Sequence, residues 1–410
     1  MLNFDENYDF AIIGGGIMGT AVAALATQAG KRPIVFRLKD SGIPRADTLR
    51  NQGWLQSGIM YPIAAFQGDE VRFQNFARST FQSGRGMLKS IGLPIPDDNG
   101  IVGINKDDSR RIGKLNRRAE LIGFSIDQFR QLEPDEARNQ LEALYNPKQL
   151  YFRIPDLPFD EAKVLERLRS KAIENGAKFF QTEAPVTISK HGSVTRINFD
   201  GQTIESSVTL IAAGSGSFDL LKQLGITANG KLRLTPLLVG QTDPVLPASI
   251  FIDWGMGYSA VQHRYTDDRN PARPIVVGGG DATRLKNAKH CLYENREFRE
   301  EHLHELHNCL PAPLTDRLSD VRYTAGYEVI PDQYGVSEFG PWIQEFGNVV
   351  FASPGRATVA TDAAIKTWGK LTTKLNGNKK IPIPHSIPGN WTEPIKMHFQ
   401  KIYTFNDAEG

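Results

Sequence analysis

The chain has 410 residues, 40% of them hydrophobic, and its 48 basic and 46 acidic residues leave a formal net charge of +2. That length exceeds what one hydrophobic core usually serves, so two domains are expected. The mixed charges exclude the basic stripe of a nucleic-acid binder, no apolar run approaches the ~18 residues of a membrane span, and two cysteines, Cys291 and Cys309, make neither a disulfide framework nor a metal knuckle. A soluble protein of a reducing cytoplasm is expected, because the acidic, polar stretch Met1–Asp9 lacks the regions of a cleavable signal.

The first elements are the most informative. Tyr8–Ile13 reads as an apolar strand, and Gly14, Gly16 and Gly19 follow it at G-x-G-x-x-G spacing. Gly14 permits a tight turn, Gly16 keeps side-chain atoms away from a pyrophosphate, and Gly19 lets a helix lie close to the strand. Ala21, Ala23, Ala24, Leu25 and Ala26 form that helix, Gly30 ends it, and Pro33–Leu38 is a second strand. Strand, turn, helix and strand together specify a dinucleotide site, with the pyrophosphate on the helix N-terminus. The acidic residue expected about 20 positions on to hold the adenosine ribose is replaced by Arg37, with Asp40 close by. Arginine accepts no hydrogen bond, so an NADP-like site competes on this segment alone.

Pro44–Pro62 is irregular and rich in hydrogen-bonding residues, a helix follows over Glu70–Ile91, and Phe179–Gly216 holds several short strands with a turn at Asp200–Gly201. Four pieces, GGGIMG at Gly14–Gly19, RNQGWLQSGIMY at Arg50–Tyr61, LIAAGSGS at Leu210–Ser217 and FASPGRATVATDAA at Phe351–Ala364, resemble the D-amino-acid oxidase superfamily of flavoenzymes. Within it the second and fourth pieces look most like the L-2-hydroxyglutarate and glycerol-3-phosphate oxidase and dehydrogenase branch.

The resemblance implies an α/β fold: a discontinuous Rossmann-like FAD-binding domain (1–92, 157–230 and 324–375), an α+β substrate domain on an antiparallel sheet (93–156 and 231–323), and a tail (376–410) that wraps the surface. It implies FAD contacts at Gly14, Gly16, Ile17, Met18, Gly19 and Arg37, and at Thr48, Asn51, Gln56, Ser57 and Gly58, the later ones under the isoalloxazine. Val186 would touch adenine by its backbone, and Ala213, Gly214, Gly355, Arg356, Ala357 and Thr358 complete the set. The turn Ser353–Thr358 would aim a helix N-terminus at the flavin pyrimidine edge, where a cation such as Arg356 stabilises the charge gained on reduction. Gln56 stands where relatives often tether the flavin to histidine, so FAD is expected without a covalent link.

Tyr258–His263 and Pro274–Gly279 read as neighbouring strands joined by the charged loop TDDRNPA. His263 is the candidate proton acceptor, and Arg264, Arg322 and Arg356 are candidates to grip a carboxylate. Tyr258, Trp254 and Tyr327 are candidate pocket walls with core packing as the alternative. Glu328 follows Gly326 and Tyr327 where relatives often carry arginine, which disfavours a simple 2-hydroxy acid. His302, His304 and His307 lie on the apparent helix Glu294–Leu310 without the further ligands of a zinc site, so no metal is expected. The leading expectation is an FAD-dependent oxidoreductase that takes hydride from a small polar hydroxy acid, polyol or amine and passes electrons to oxygen or another acceptor. An NADP-dependent reductase and a flavoprotein with structural FAD are the alternatives.

Overall fold

The computed structural model describes residues 6–39, 48, 53–95, 100–242, 248–263, 273–279, 312–316, 318–331, 340–376 and 381–383. The expected first strand is broken at Asp9. The Asp9 N–H donates to the Arg32 carbonyl at 2.8 Å, the Asp9 carboxylate accepts the Arg32 N–H at 2.7 Å, and the chain bends there. β1 (Glu6–Tyr8) accordingly pairs with β21 (Ile381–Ile383), so part of the expected tail packs against the chain start, while β2 (Phe10–Ile13) enters the main sheet.

That sheet has six strands in the order β19 (Trp342–Phe346), β20 (Val349–Ser353), β13 (Thr209–Ile211), β2, β3 (Pro33–Leu38) and β9 (Lys178–Thr182). All neighbours are parallel except β19 with β20. Its strands are short apolar runs because both faces are covered. Side chains alternate between faces with period two: Phe10, Ile12 and Val35 join α1 (Ile17–Gln28), α5 (Glu161–Glu174) and α8 (Ala360–Leu375), whereas Ala11, Ile13, Ile34 and Phe36 meet the other layer. That layer is the meander β10 (Thr187–His191), β11 (Val194–Phe199) and β12 (Gln202–Ser206) with α6 (Ser217–Gln223). Asp200 and Gly201 join β11 to β12 with φ of 42° and 76°, the positive pair that suits a two-residue hairpin turn.

The second sheet runs β18 (Leu318–Pro331), β14 (Gly230–Thr242), β17 (Arg273–Gly279), β16 (Tyr258–Gln262), β15 (Ile250–Asp253), β5 (Gly100–Asn105), β7 (Gln149–Ile154), β6 (Arg130–Gln131). It is antiparallel apart from β15 with β5, where Phe251 faces Ile101. The exception has a simple origin: this is where strands from two distant stretches of chain meet. β18 pairs with β14 from Leu318 to Pro331 and so runs across position 323 without a break. One face carries α4 (Pro134–Leu141) and α7 (Ala312–Thr315); the other packs on α2 (Glu70–Ser90) and α3 (Ser109–Ile122). α2 starts on Asp69, which accepts the Arg72 N–H at 2.9 Å, and buries Phe73, Ala77, Phe81, Gly84 and Leu88 at helical spacing. A two-stranded ribbon, β4 (Trp54–Leu55) with β8 (Leu157–Pro158), ties the expected irregular segment to the chain after β7.

Leu210 lies in the centre of the parallel sheet with no solvent exposure. Leu210→Ala is expected to destabilise the protein by about 2–5 kcal/mol, measured by urea unfolding monitored by tryptophan fluorescence.

Candidate functional site

The glycine turn is shaped by close approach. Gly14 has φ of 121°, and a Cβ there would stand 2.2 Å from the Ala212 carbonyl oxygen; a Cβ on Gly19 would stand 2.0 Å from the Gly14 carbonyl oxygen. The first contact lets β2 and the end of β13 meet at the turn. The second lets α1 press its first turn on the strand end. A Cβ on Gly16 would come 3.1 Å from Thr48 Oγ1, which already accepts the Ile17 N–H at 2.9 Å. No acidic residue stands in the first turn of α1, and its N-cap is Gly16, without a capping side chain. An amide-rich, acid-free helix start beside a turn free of side chains is the environment a pyrophosphate requires.

The other residues expected at this end take defined places. Arg37, the penultimate residue of β3, lies beside the turn, only 8% exposed, and donates from Nη2 to Gln181 Oε1 on β9 at 3.0 Å. Met18 is buried at the start of α1. Ala213 and Gly214 follow β13, where the Ala213 N–H donates to Ser217 Oγ at 3.1 Å. Val186 is buried with the meander, and nothing in its described contacts ties it to the turn. Asn51 lies outside the described residues.

A second gathering joins stretches some 300 residues apart in sequence. Thr358 Oγ1 donates to the Trp54 carbonyl at 2.9 Å and accepts the Gln56 N–H at 3.2 Å; Arg356 Nη1 donates to Gln56 Oε1 at 3.4 Å and its guanidinium lies 5.6 Å from the centre of the Tyr61 ring. Gly355 has φ of 70°, and the turn Ala357–Val359 leads into α8. Gly58 has φ of 91°, and a Cβ there would stand 2.5 Å from the Ala77 Cβ on α2. Gln56, Arg356 and Thr358 therefore form one knot before α8, with Gly355 and Ala357 in the same turn, while Ser57 bonds Asp156 and Gly58 packs on α2.

Three functional-looking residues escaped the sequence reading. Asp156, fully buried, accepts the Trp54 Nε1–H at 2.7 Å and the Ser57 N–H at 2.9 Å; burial pushes its carboxyl up to about 6 against the pull of those bonds. Glu161, buried at the start of α5, stands against Gly53, its Oε2 2.8 Å from where a Cβ there would lie, and burial raises it well above the usual carboxylate range. Arg118, on α3, donates to the Ile59 carbonyl at 3.2 Å, lies 5.4 Å from the centre of the Trp254 ring and is lowered by burial to about 10. The available signal was an acid set between Pro155 and Leu157 in the apolar run after β7.

Of the substrate candidates, His263 follows β16 with no exposure, and it borders, with Glu161 and the Phe159 carbonyl, the space a Gly53 side chain would need. Tyr258 packs in the core with Phe251 on one face of the second sheet, whereas Trp254 lies partly buried on the opposite face. Arg322 stands opposite Val239, and Tyr327 and Glu328 opposite Leu234 and Arg233, in the β14–β18 pairing. Arg264, Cys291, His302, His304, His307 and Cys309 lie outside the described residues. Among the described residues no cluster of His, Cys, Asp or Glu forms a metal site, and no helix is long and apolar enough to cross a membrane.

Residues 9–356 match the family described as FAD dependent oxidoreductase (DAO). The chain is 24% identical over 225 residues to glycine oxidase of Bacillus licheniformis, a match spanning 54% of this chain and 58% of that one, a little over half of that relative's length. In fold it is similar to iminodiacetate oxidase (IdaA) from Chelativorans sp. BNC1, with a TM-score of 0.68, 15% identity, and 88% of this chain and 95% of that chain covered. It is likewise similar to L-proline dehydrogenase from P. horikoshii, with a TM-score of 0.67, 17% identity, and 90% and 94% covered.

Asp160 caps α5 by accepting the Lys163 N–H at 2.9 Å, and burial pushes it up to about 6. Its folded value lies above the ~3.9 of an unfolded aspartate, so its contribution to stability is greatest at low pH and is lost as pH rises from about 4 through about 6. Asp160→Asn keeps the cap but cannot titrate. Melting temperatures at pH 7 and pH 5 are expected to show the variant without the part of the gain on acidification that this carboxyl supplies to the wild type.

Proposed function

The chain belongs to the FAD dependent oxidoreductase family, and from that premise we propose that it oxidises a C–H bond beside the nitrogen of a small amino or imino acid, with a hydroxy acid or polyol as the competing class. When bound, FAD supplies the hydride acceptor. The observation that carries the reading is the knot at Thr358, which joins segment 54–61 to the start of α8 through the Trp54 carbonyl, the Gln56 amide and Arg356. The N-terminus of α8, whose first-turn Asp362 is paired with Lys366, and the Arg356 cation would stabilise the negative charge that bound FAD gains on reduction.

The turn Gly14–Gly19 and the start of α1 would hold the pyrophosphate, with Arg37 and Gln181 beside the adenosine end. The division into a discontinuous cofactor domain and a substrate domain built on the second sheet follows from the same reading. Glycine, iminodiacetate and L-proline, named for the three relatives, each pair an amine with a carboxylate. An amino-acid substrate therefore needs an arginine grip, for which Arg264, Arg322 and Arg356 are the proposed residues. His263, at the end of β16, is the proposed proton holder, and oxygen or another acceptor would complete turnover.

The purified protein is expected to show flavin absorption that denaturation releases, as the noncovalent link requires, and to bleach on anaerobic addition of glycine, sarcosine, proline or another amino acid. A yellow protein that no amine, hydroxy acid or glycerol phosphate reduces would overturn the reading. Arg356→Met is expected to lower the rate of flavin reduction on the order of 10²-fold, followed by stopped-flow absorbance.

A further inference from the structure

Segment 53–58 is held from two sides. Thr358 bonds it on one, through the Trp54 carbonyl and the Gln56 amide. On the other side stand two buried carboxyl groups from the turn after β7 and the start of α5. Asp156 Oδ2 accepts the Trp54 indole N–H at 2.7 Å and its Oδ1 accepts the Ser57 amide at 2.9 Å. Glu161 stands against Gly53, its Oε2 2.8 Å from where a Cβ on that glycine would lie. β4 with β8 makes the fastening local, since Trp54 faces Pro158 and the Phe159 N–H donates to the Gly53 carbonyl at 2.8 Å.

A buried carboxylate is costly to keep, and apolar packing of the same volume holds a loop as well or better. What a carboxylate adds is direction. Two donors from one short segment, the Trp54 indole and the Ser57 amide, converge on the two oxygens, and the segment's backbone is thereby fixed in rotation as well as in position. That matters where backbone atoms, not side chains, must meet a ligand.

Resting on the reading above that segment 54–58 faces the isoalloxazine, we propose that Asp156 is a positioning residue for flavin binding: it acts through the Trp54 indole and the Ser57 amide to fix this segment and places one buried negative charge behind it. Asp156→Asn keeps the volume, removes the charge and turns an amide N–H₂ toward a donor. Trp54→Phe removes one donor and leaves the carboxyl.

The test uses the full-length protein, with FAD affinity measured by quenching of flavin fluorescence, the two-electron midpoint potential by dye equilibration, and the melting temperature of the FAD-free form. Asp156→Asn is expected to weaken FAD binding at least about tenfold and to raise the flavin potential, because a negative charge near the reduced ring is gone. Trp54→Phe should weaken binding by a few fold, and adding it to Asp156→Asn should cost little more, as for two residues that share one interaction.

If Asp156→Asn lowers the melting temperature but leaves affinity and potential unchanged, Asp156 is a packing residue and the proposal fails. Should Asp156→Asn not fold, Trp54→Phe decides: weaker FAD binding sustains the proposal and wild-type affinity ends it. A wild-type protein that takes up no FAD would instead remove the site reading itself, an outcome separate from the variants.

Discussion

The described structure depends on one constraint, the space left by absent side chains where β2 passes into α1. The Gly19 Cα approaches the Gly14 carbonyl so closely that a methyl group would stand 2.0 Å from it, and Gly14 in turn lies against the end of β13. No packing adjustment accommodates a Cβ at those distances, because the obstructing atoms are backbone. The helix start, the central strand of the parallel sheet and the following strand end are thereby brought to one point. The alanines of α1 extend the same logic along the helix, since small side chains let α5 and α8 lie close across it.

From that point the second gathering takes its meaning. Its hydrogen bonds are made largely by backbone groups of segment 53–58, answered by Thr358 and Asp156, with Glu161 packed against Gly53. Two of those groups are carboxyls out of solvent, raised by burial above their ordinary range. Arg356 supplies positive charge on the same segment, at Gln56, and Arg118 holds the Ile59 carbonyl three residues further on. The segment is a strip of backbone suspended among buried charges, which suits a surface that presents amides and carbonyls to a ligand.

The residues that were legible share a property: their information is local. The G-x-G-x-x-G spacing, the small-residue helix after it, the Asp200–Gly201 hairpin, the amphipathic α2 and the paired strands at Tyr258 and Pro274 all follow from neighbours a few positions apart. The break at Asp9 was not legible, because it depends on hydrogen bonds with Arg32 at the start of the neighbouring strand. The parallel pairing of β15 with β5 was likewise hidden, as those strands are joined only once the second sheet closes. Tyr258, an open question between pocket wall and core, proves to be core because strand alternation puts it on the Phe251 face.

By itself, then, the order of residues determined an α/β chain with a glycine-rich turn near its start and its later flavin-like motifs. Only the tertiary structure decided that Asp156, Glu161 and Arg118 stand around segment 53–59, and that Thr358 closes it from the far end of the chain. The reason is physical. A turn or a helix stripe is written in the spacing of adjacent side chains, whereas a buried charge is tolerated only where distant donors converge on it, and that convergence exists only in the folded chain.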